Sequence, residues 1–199
     1  MKFILPLFFL ILISCTTVRE RQTAKHTQPK FSMEEIQASW EKAMSKAEEH
    51  KILHDMEGSW KAEVMFWVQP GTPPQTSFAD STNRTILDGR FLVEEYKGSF
   101  EGKPFEGMGI TGFDTILEKF THYWIDNMGT GSIVSEGSYD AEEKTISMLG
   151  VVTDPVSKEK RDTASITHII DKNNHIFEMY DLMPDGNRFK TLEIKYTRK

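Results

Sequence analysis

From residue 59 onward, hydrophobic positions recur at every second residue, the period of a strand with two unlike faces. Residues 59–68 put Trp60, Ala62, Val64, Phe66 and Val68 on one face. Similar runs cover 76–87, 90–100, 105–114, 119–127, 132–139, 144–153, 161–170, 175–183 and 188–198, with short polar or Gly/Pro-rich breaks between them. The pattern predicts about ten strands joined by local turns, hence antiparallel pairing of sequence neighbours. Asp88-Gly89 carries a two-residue hairpin signal. A flat sheet of that many strands keeps two raw edges and tends to curl or split. Closure removes the edges. The expected fold class is therefore mainly β: a closed antiparallel up-and-down barrel over residues 58–199.

The pair of runs within 105–131 is unusual. In the first run Phe105 and Phe113 oppose Met108 and Ile110 across the strand, and in the second Phe120 and Trp124 oppose Tyr123 and Ile125. A sheet with one wet face should not be apolar on both, so part of the outer wall is expected to be covered by a helix or a second subunit. Gly107, Gly109 and Gly112 suggest bends or close approach of backbone.

Residues 32–57 change period. Met33, Ile36, Trp40, Ala43, Met44 and Ala47 recur at helical spacing. Ser32 followed by Glu35 forms a capping-box signature, with Phe31 and Ile36 at the staple positions. The expectation is one amphipathic N-terminal helix that packs on the barrel wall or plugs one end. A membrane-surface role is less favoured, because the polar face holds Glu34, Glu41 and Glu49 as well as Lys42 and Lys46.

The 199 residues carry a formal net charge of −6. That argues against a nucleic-acid partner, which calls for a basic stripe. The only cysteine, Cys15, excludes an intramolecular disulfide, so the core must hold by packing. Residues 3–13 are an uncharged apolar run behind Lys2. The run is far short of the roughly 20 residues a spanning helix needs, and reads as a secretion signal over 1–14. Residues 15–31, with Arg19, Arg21, Lys25 and Lys30, read as a flexible tether.

Leu12-Ile13-Ser14-Cys15 resembles the bacterial lipobox. The resemblance implies cleavage before Cys15, acylation of that residue with palmitate-like chains, and a lipoprotein held in the cell envelope. Thr16 after the cysteine points, by the same resemblance, to the outer membrane. Gly58-Ser59-Trp60 resembles the Gly-x-Trp of lipocalins. There the Trp lies in the barrel floor under a basic residue from the last strand, a role that falls here to Arg198. More broadly, residues 50–198 resemble the bacterial family called domain of unknown function 1579. The likeness is carried by Leu87-Asp88-Gly89-Arg90-Phe91-Leu92, Pro104-Phe105-Glu106-Gly107, Gly112-Phe113-Asp114, the stretch Trp124-Ile125-Asp126-Asn127-Met128-Gly129-Thr130-Gly131, and Glu193-x-x-Tyr196-x-Arg198. The resemblance implies a ten-stranded lipocalin-like or nitrobindin-like barrel without a settled activity. Nitrobindin-like barrels bind haem through one strand histidine, which His122 or His168 would have to supply. No haem-attachment motif accompanies them, and no cofactor is expected.

The residues do not specify a reaction. There is no phosphate loop, no Cys/His zinc spacing and no nucleophile–base–orienter set. His122 and Asp126, four residues apart on one strand, lie roughly 13 Å apart at strand rise, too far to share a metal. The leading reading is a binding module for a small apolar or amphipathic molecule held inside the barrel. Its candidate lining is Trp60, Phe66, Phe91, His122, Trp124, Asp126, Glu178 and Tyr180. Two other readings stand beside it. One is a solid barrel whose outer face dimerises. The other is an enzyme using Glu178 or Asp126 as an interior carboxylate of raised pKa.

Overall fold

The computed structural model describes residues 31–183 and 185–199. The expected leader, lipid-accepting Cys15 and most of the tether lie outside the described residues. Two helices, α1 (Met33–Met44) and α2 (Glu49–Asp55), precede the sheet. The strands are β1 (Gly58–Phe66), β2 (Gln75–Ile86), β3 (Phe91–Phe100), β4 (Lys103–Asp114), β5 (Lys119–Asp126), β6 (Ile133–Asp140), β7 (Thr145–Thr153), β8 (Lys160–Asp171), β9 (Asn174–Leu182) and β10 (Arg188–Arg198). Each pairs antiparallel with its sequence neighbours, and β1 also pairs with β10, so the barrel closes. The expected ten strands are all present, within about two residues of the positions read from alternation.

Parity then sorts the side chains. Trp60, Ala62, Val64 and Phe66 of β1 point inward, as do Leu92, Glu94 and Tyr96 of β3 and Phe120, His122, Trp124 and Asp126 of β5. The Asp88-Gly89 signal does mark a hairpin, but its connection is longer than two residues. Ile86 pairs with Phe91, leaving 87–90 as the turn. Leu87, Asp88 and Gly89 there take φ of 51°, 61° and 76°.

The expected helical segment is present, broken into α1 and α2 between Met44 and Glu49. The Ser32 hydroxyl accepts from the Glu35 amide at 3.1 Å, while the Ser32 amide donates to the Glu35 carboxylate at 2.7 Å, completing the capping box of α1. The helix ends at Ser45, which is extended, and donors on the barrel turns cap its last carbonyls. Thr115 donates to the Lys42 carbonyl at 3.0 Å, and Arg90 donates to that of Met44 at 2.9 Å. α1 buries no residue, and Met33, Trp40 and Met44 are exposed. The expectation that this segment covers apolar surface therefore holds only for α2, which buries His50 and Leu53. Among the described residues nothing covers the apolar outer parity of β4 and β5 either: Met108, Ile110, Tyr123 and Ile125 are exposed.

Candidate functional site

The barrel has a packed end and a hollow end. At the packed end, Leu53 of α2 enters the barrel and joins Leu92, Phe120 and Ile146 in a buried cluster. Around it the polar groups pair. The Trp60 indole donates to the Met56 carbonyl at 3.1 Å, and the Asn83 amide donates to the same carbonyl at 3.2 Å. The Arg198 guanidinium lies 4.1 Å from the centre of the Trp60 ring, the floor contact expected for these two residues. It also donates to the carbonyls of Lys172 at 2.8 Å, Asp55 at 2.8 Å and Glu57. Gly58 makes this approach possible. Its φ is +117°, and a Cβ there would stand 2.5 Å from an Arg198 nitrogen. His175 meets Trp60 edge-on at 4.5 Å and stacks on Tyr196 at 4.3 Å. Burial first, and the Arg198 charge second, push the His175 imidazole down to about 4.

Above this floor lies a cavity of about 520 Å³. That is within the range of sites for drug-sized ligands, roughly 300–1,000 Å³. Met56, Tyr96, Trp124, Phe177, Met179 and Ile194 supply apolar walls, and Phe66 and Phe100 stand towards the open end, edge to face at 5.3 Å. The glycines of β4 shape one side. A Cβ on Gly107 would meet the Trp124 ring at 2.3 Å, so the missing side chain lets the indole lie against the wall. The Trp124 indole N–H donates to Asp126 at 2.9 Å, and the Met128 amide donates to the other carboxylate oxygen at 2.9 Å.

A polar group interrupts the apolar wall where β3, β4 and β5 meet. Thr111 Oγ1 lies 2.9 Å from His122 Nδ1 and donates to Glu94 Oε2 at 3.4 Å. Thr111 has one hydroxyl proton. Giving it to Glu94 leaves the oxygen to accept from His122, which assigns the imidazole proton to Nδ1. Burial lowers the His122 pKa from its ordinary value, and Glu94 partly offsets this. At neutral pH the imidazole is neutral. Burial raises the Tyr96 phenol well above the usual range; burial, then Tyr96 and Glu94, do the same for Tyr196.

The structure brings together Phe66, His122, Trp124 and Asp126 as cavity lining. Trp60 sits beneath them in the floor. Phe91, Glu178 and Tyr180 are placed differently from expectation. Phe91 packs over Gly112, on the face of β4 opposite to the lining residue Thr111. On β9 the inward parity belongs to His175, Phe177 and Met179, so Glu178 and Tyr180 face outward. There Glu178 accepts from Tyr180 at 2.9 Å, from His168 at 3.2 Å and from Lys190. Burial alone would raise its pKa, but the bonds from Lys190, Tyr180 and His168 hold it below the ordinary value. This is the reverse of the raised interior acid expected of an enzyme. His168 shares that outer face.

Glu94, Tyr96 and Thr111 are cavity residues that sequence reasoning missed. The available signal was the spacing Leu92, Glu94, Tyr96, which places the carboxylate on the face of two large inward side chains.

The sequence profile of the family described as protein of unknown function (DUF1579) matches residues 45–198. No curated protein matches the chain. Among solved structures, the crystal structure of Rv2717c from M. tuberculosis resembles it with a TM-score of 0.54 and 15% sequence identity, covering 78% of this chain and 99% of its own. At that identity the likeness is one of fold.

Proposed function

The chain belongs to the DUF1579 family, and for this member we propose that the barrel is a carrier or sensor holding one small amphipathic molecule in its interior. The observation that carries the reading is the 520 Å³ cavity, walled by aromatic and aliphatic groups and interrupted by Glu94, Thr111 and His122. Apolar walls with a few convergent polar groups are the usual makeup of a small-molecule site, and closed barrels of modest size hold single ligands. α2 closes one end, leaving entry to the end carrying Phe66 and Phe100. The test is native mass spectrometry of the full chain purified from its own host. A discrete small-molecule adduct, lost on unfolding, is expected. A protein without an adduct that also fails to bind added amphiphiles overturns the reading.

The same reading places the barrel in the bacterial envelope, tethered through lipid on Cys15 to the outer membrane. Its support is the apolar run ending in the only cysteine of the chain. A single acyl chain anchors weakly, so two or more are implied. Cys15→Ser should move the protein from the membrane fraction to the soluble fraction, and retention of the variant on membranes contradicts the anchor.

A second reading, pairing with a second copy, is favoured by one observation. Ile110, Tyr123, Val134 and Val151 lie directly opposite one another across four strands, and all are exposed. Sedimentation over a concentration series tests it. A dimer dispersed by Val134→Lys supports pairing, and a monomer at all concentrations excludes it.

A further inference from the structure

We propose that the chamber selects molecules whose polar end is a protonated amine or similar organic cation, and disfavours carboxylates of the fatty-acid type. This rests on the interior-binding reading. It begins from charge balance: the described residues lining the cavity include the carboxylates Glu94, Glu101 and Asp126, and no Lys or Arg. His122 supplies no compensation, since burial keeps the ring neutral.

The three carboxylates are not equivalent. Glu101 belongs to the exposed turn between β3 and β4. Asp126 already accepts from the Trp124 indole and the Met128 amide. Glu94 lies deeper, and its contacts are weak: the Thr111 hydroxyl at 3.4 Å and His122 at 4.0 Å. No described cation pairs with it. A carboxylate inside a protein normally has a charged or hydrogen-bonding partner.

A second feature lies in the same cavity. Tyr96 lines the cavity, and since no fully buried side-chain polar atom among the described residues lacks a partner, its hydroxyl, which bonds to none of them, is open to the cavity. Glu94 offers an ammonium group a charged acceptor, and Tyr96 adds a neutral hydroxyl acceptor to the lining of the same cavity. Tyr96, Phe105 and Trp124 stand around it, with Tyr96 5.7 Å from Phe105 and 6.3 Å from Trp124 in edge-to-face contact. Aromatic faces add attraction for a cation. A carboxylate in the same position meets Glu94 as a like charge with no cation in the described lining to relieve it.

The test compares three probes of one chain length, dodecylammonium, dodecanol and dodecanoate. Each is titrated below its micelle concentration into the full chain and followed by tryptophan fluorescence. The amine is expected to bind at least about tenfold tighter than the carboxylate, with the alcohol between them, a difference worth about 1.4 kcal/mol. Glu94→Gln should compress the three affinities to within about threefold of one another, since the charge that separates them is gone. Carboxylate binding equal to or tighter than the amine overturns the proposal while leaving interior binding intact. So does an amine preference that survives in folded Glu94→Gln. If that variant does not fold, the wild-type order of the three probes decides alone. Failure of all three probes to bind overturns this proposal and the interior-binding reading together.

Discussion

The two halves of the barrel use the same strands for opposite ends. In the lower half, Leu53, Trp60, Leu92 and Phe120 are almost wholly buried, and the polar groups of Trp60, Asn83 and Arg198 all reach main-chain carbonyls. In the upper half, the same inward parity carries Glu94, Tyr96 and Met179 around the cavity, with the Glu94 carboxylate only weakly paired. The lesson is a division of labour along the barrel axis. Stability is concentrated where α2 completes the packing, which allows the other half to stay hollow.

The largest expected effect tests the packed half directly. Leu53→Ala should lower the unfolding free energy by about 2–5 kcal/mol in urea titrations, since it removes a fully buried side chain and leaves a void. Met179→Ala, whose side chain already borders the cavity, should cost less, about 1–2 kcal/mol, because little new void forms. Equal costs would erase the distinction between the halves.

Arg198→Ala should cost about 3 kcal/mol, combining the loss of the Trp60 contact with orphaned carbonyls of Asp55, Glu57 and Lys172. Arg198→Lys should recover less than half of that, since a single ammonium cannot span three acceptors on separate segments. Full rescue by Lys would show that only the charge matters.

The floor also sets an acid response. His175 is buried with its pKa lowered to about 4. The unfolded chain takes up a proton near pH 6.5 that the folded chain refuses until about pH 4. Stability is therefore full above pH 6.5 and declines as pH falls through that interval, by up to about 3 kcal/mol at 1.36 kcal/mol per pKa unit. Folded His175→Phe should show a flatter curve between those limits when stability is measured by denaturant titration across pH. An unchanged slope would place the acid response elsewhere.

The smallest effect belongs to α1. Trp40 is 65% exposed, so Trp40→Ala should change stability by no more than about 0.5 kcal/mol. A larger loss in thermal melting would mean that the helix is packed in solution against something, which the exposed apolar faces of β4 and β5 are positioned to provide.

The sequence made the closed barrel legible because period-two alternation and tight turns depend on local spacing, whereas the Trp60–Arg198 contact was implied only by the resemblance to lipocalins. Face assignment was legible where bulky groups fall on one parity, as in β1 and β5. It was not legible in β3, where Phe91, Leu92 and Val93 are consecutive apolar residues and either parity looks inward. In β9 the polar pair Glu178 and Tyr180 looked like a site, but Lys190 and His168 reach it on the outer wall, and long-range partners leave no local trace. The helical segment had the same difficulty. Its apolar stripe is plain in sequence, but only tertiary contacts show that α2 enters the barrel while α1 stays outside.

The most direct test of the hollow half is to fill it. Ser165 lines the cavity with a small side chain, and Ser165→Trp should occupy the space while the barrel remains folded by circular dichroism. Calorimetric titration of dodecanol into the full wild-type chain is expected to saturate at one molecule per barrel, and the filled variant is expected to lose that binding. Undiminished binding to a folded Ser165→Trp protein would contradict a ligand chamber between the α2 plug and the open rim.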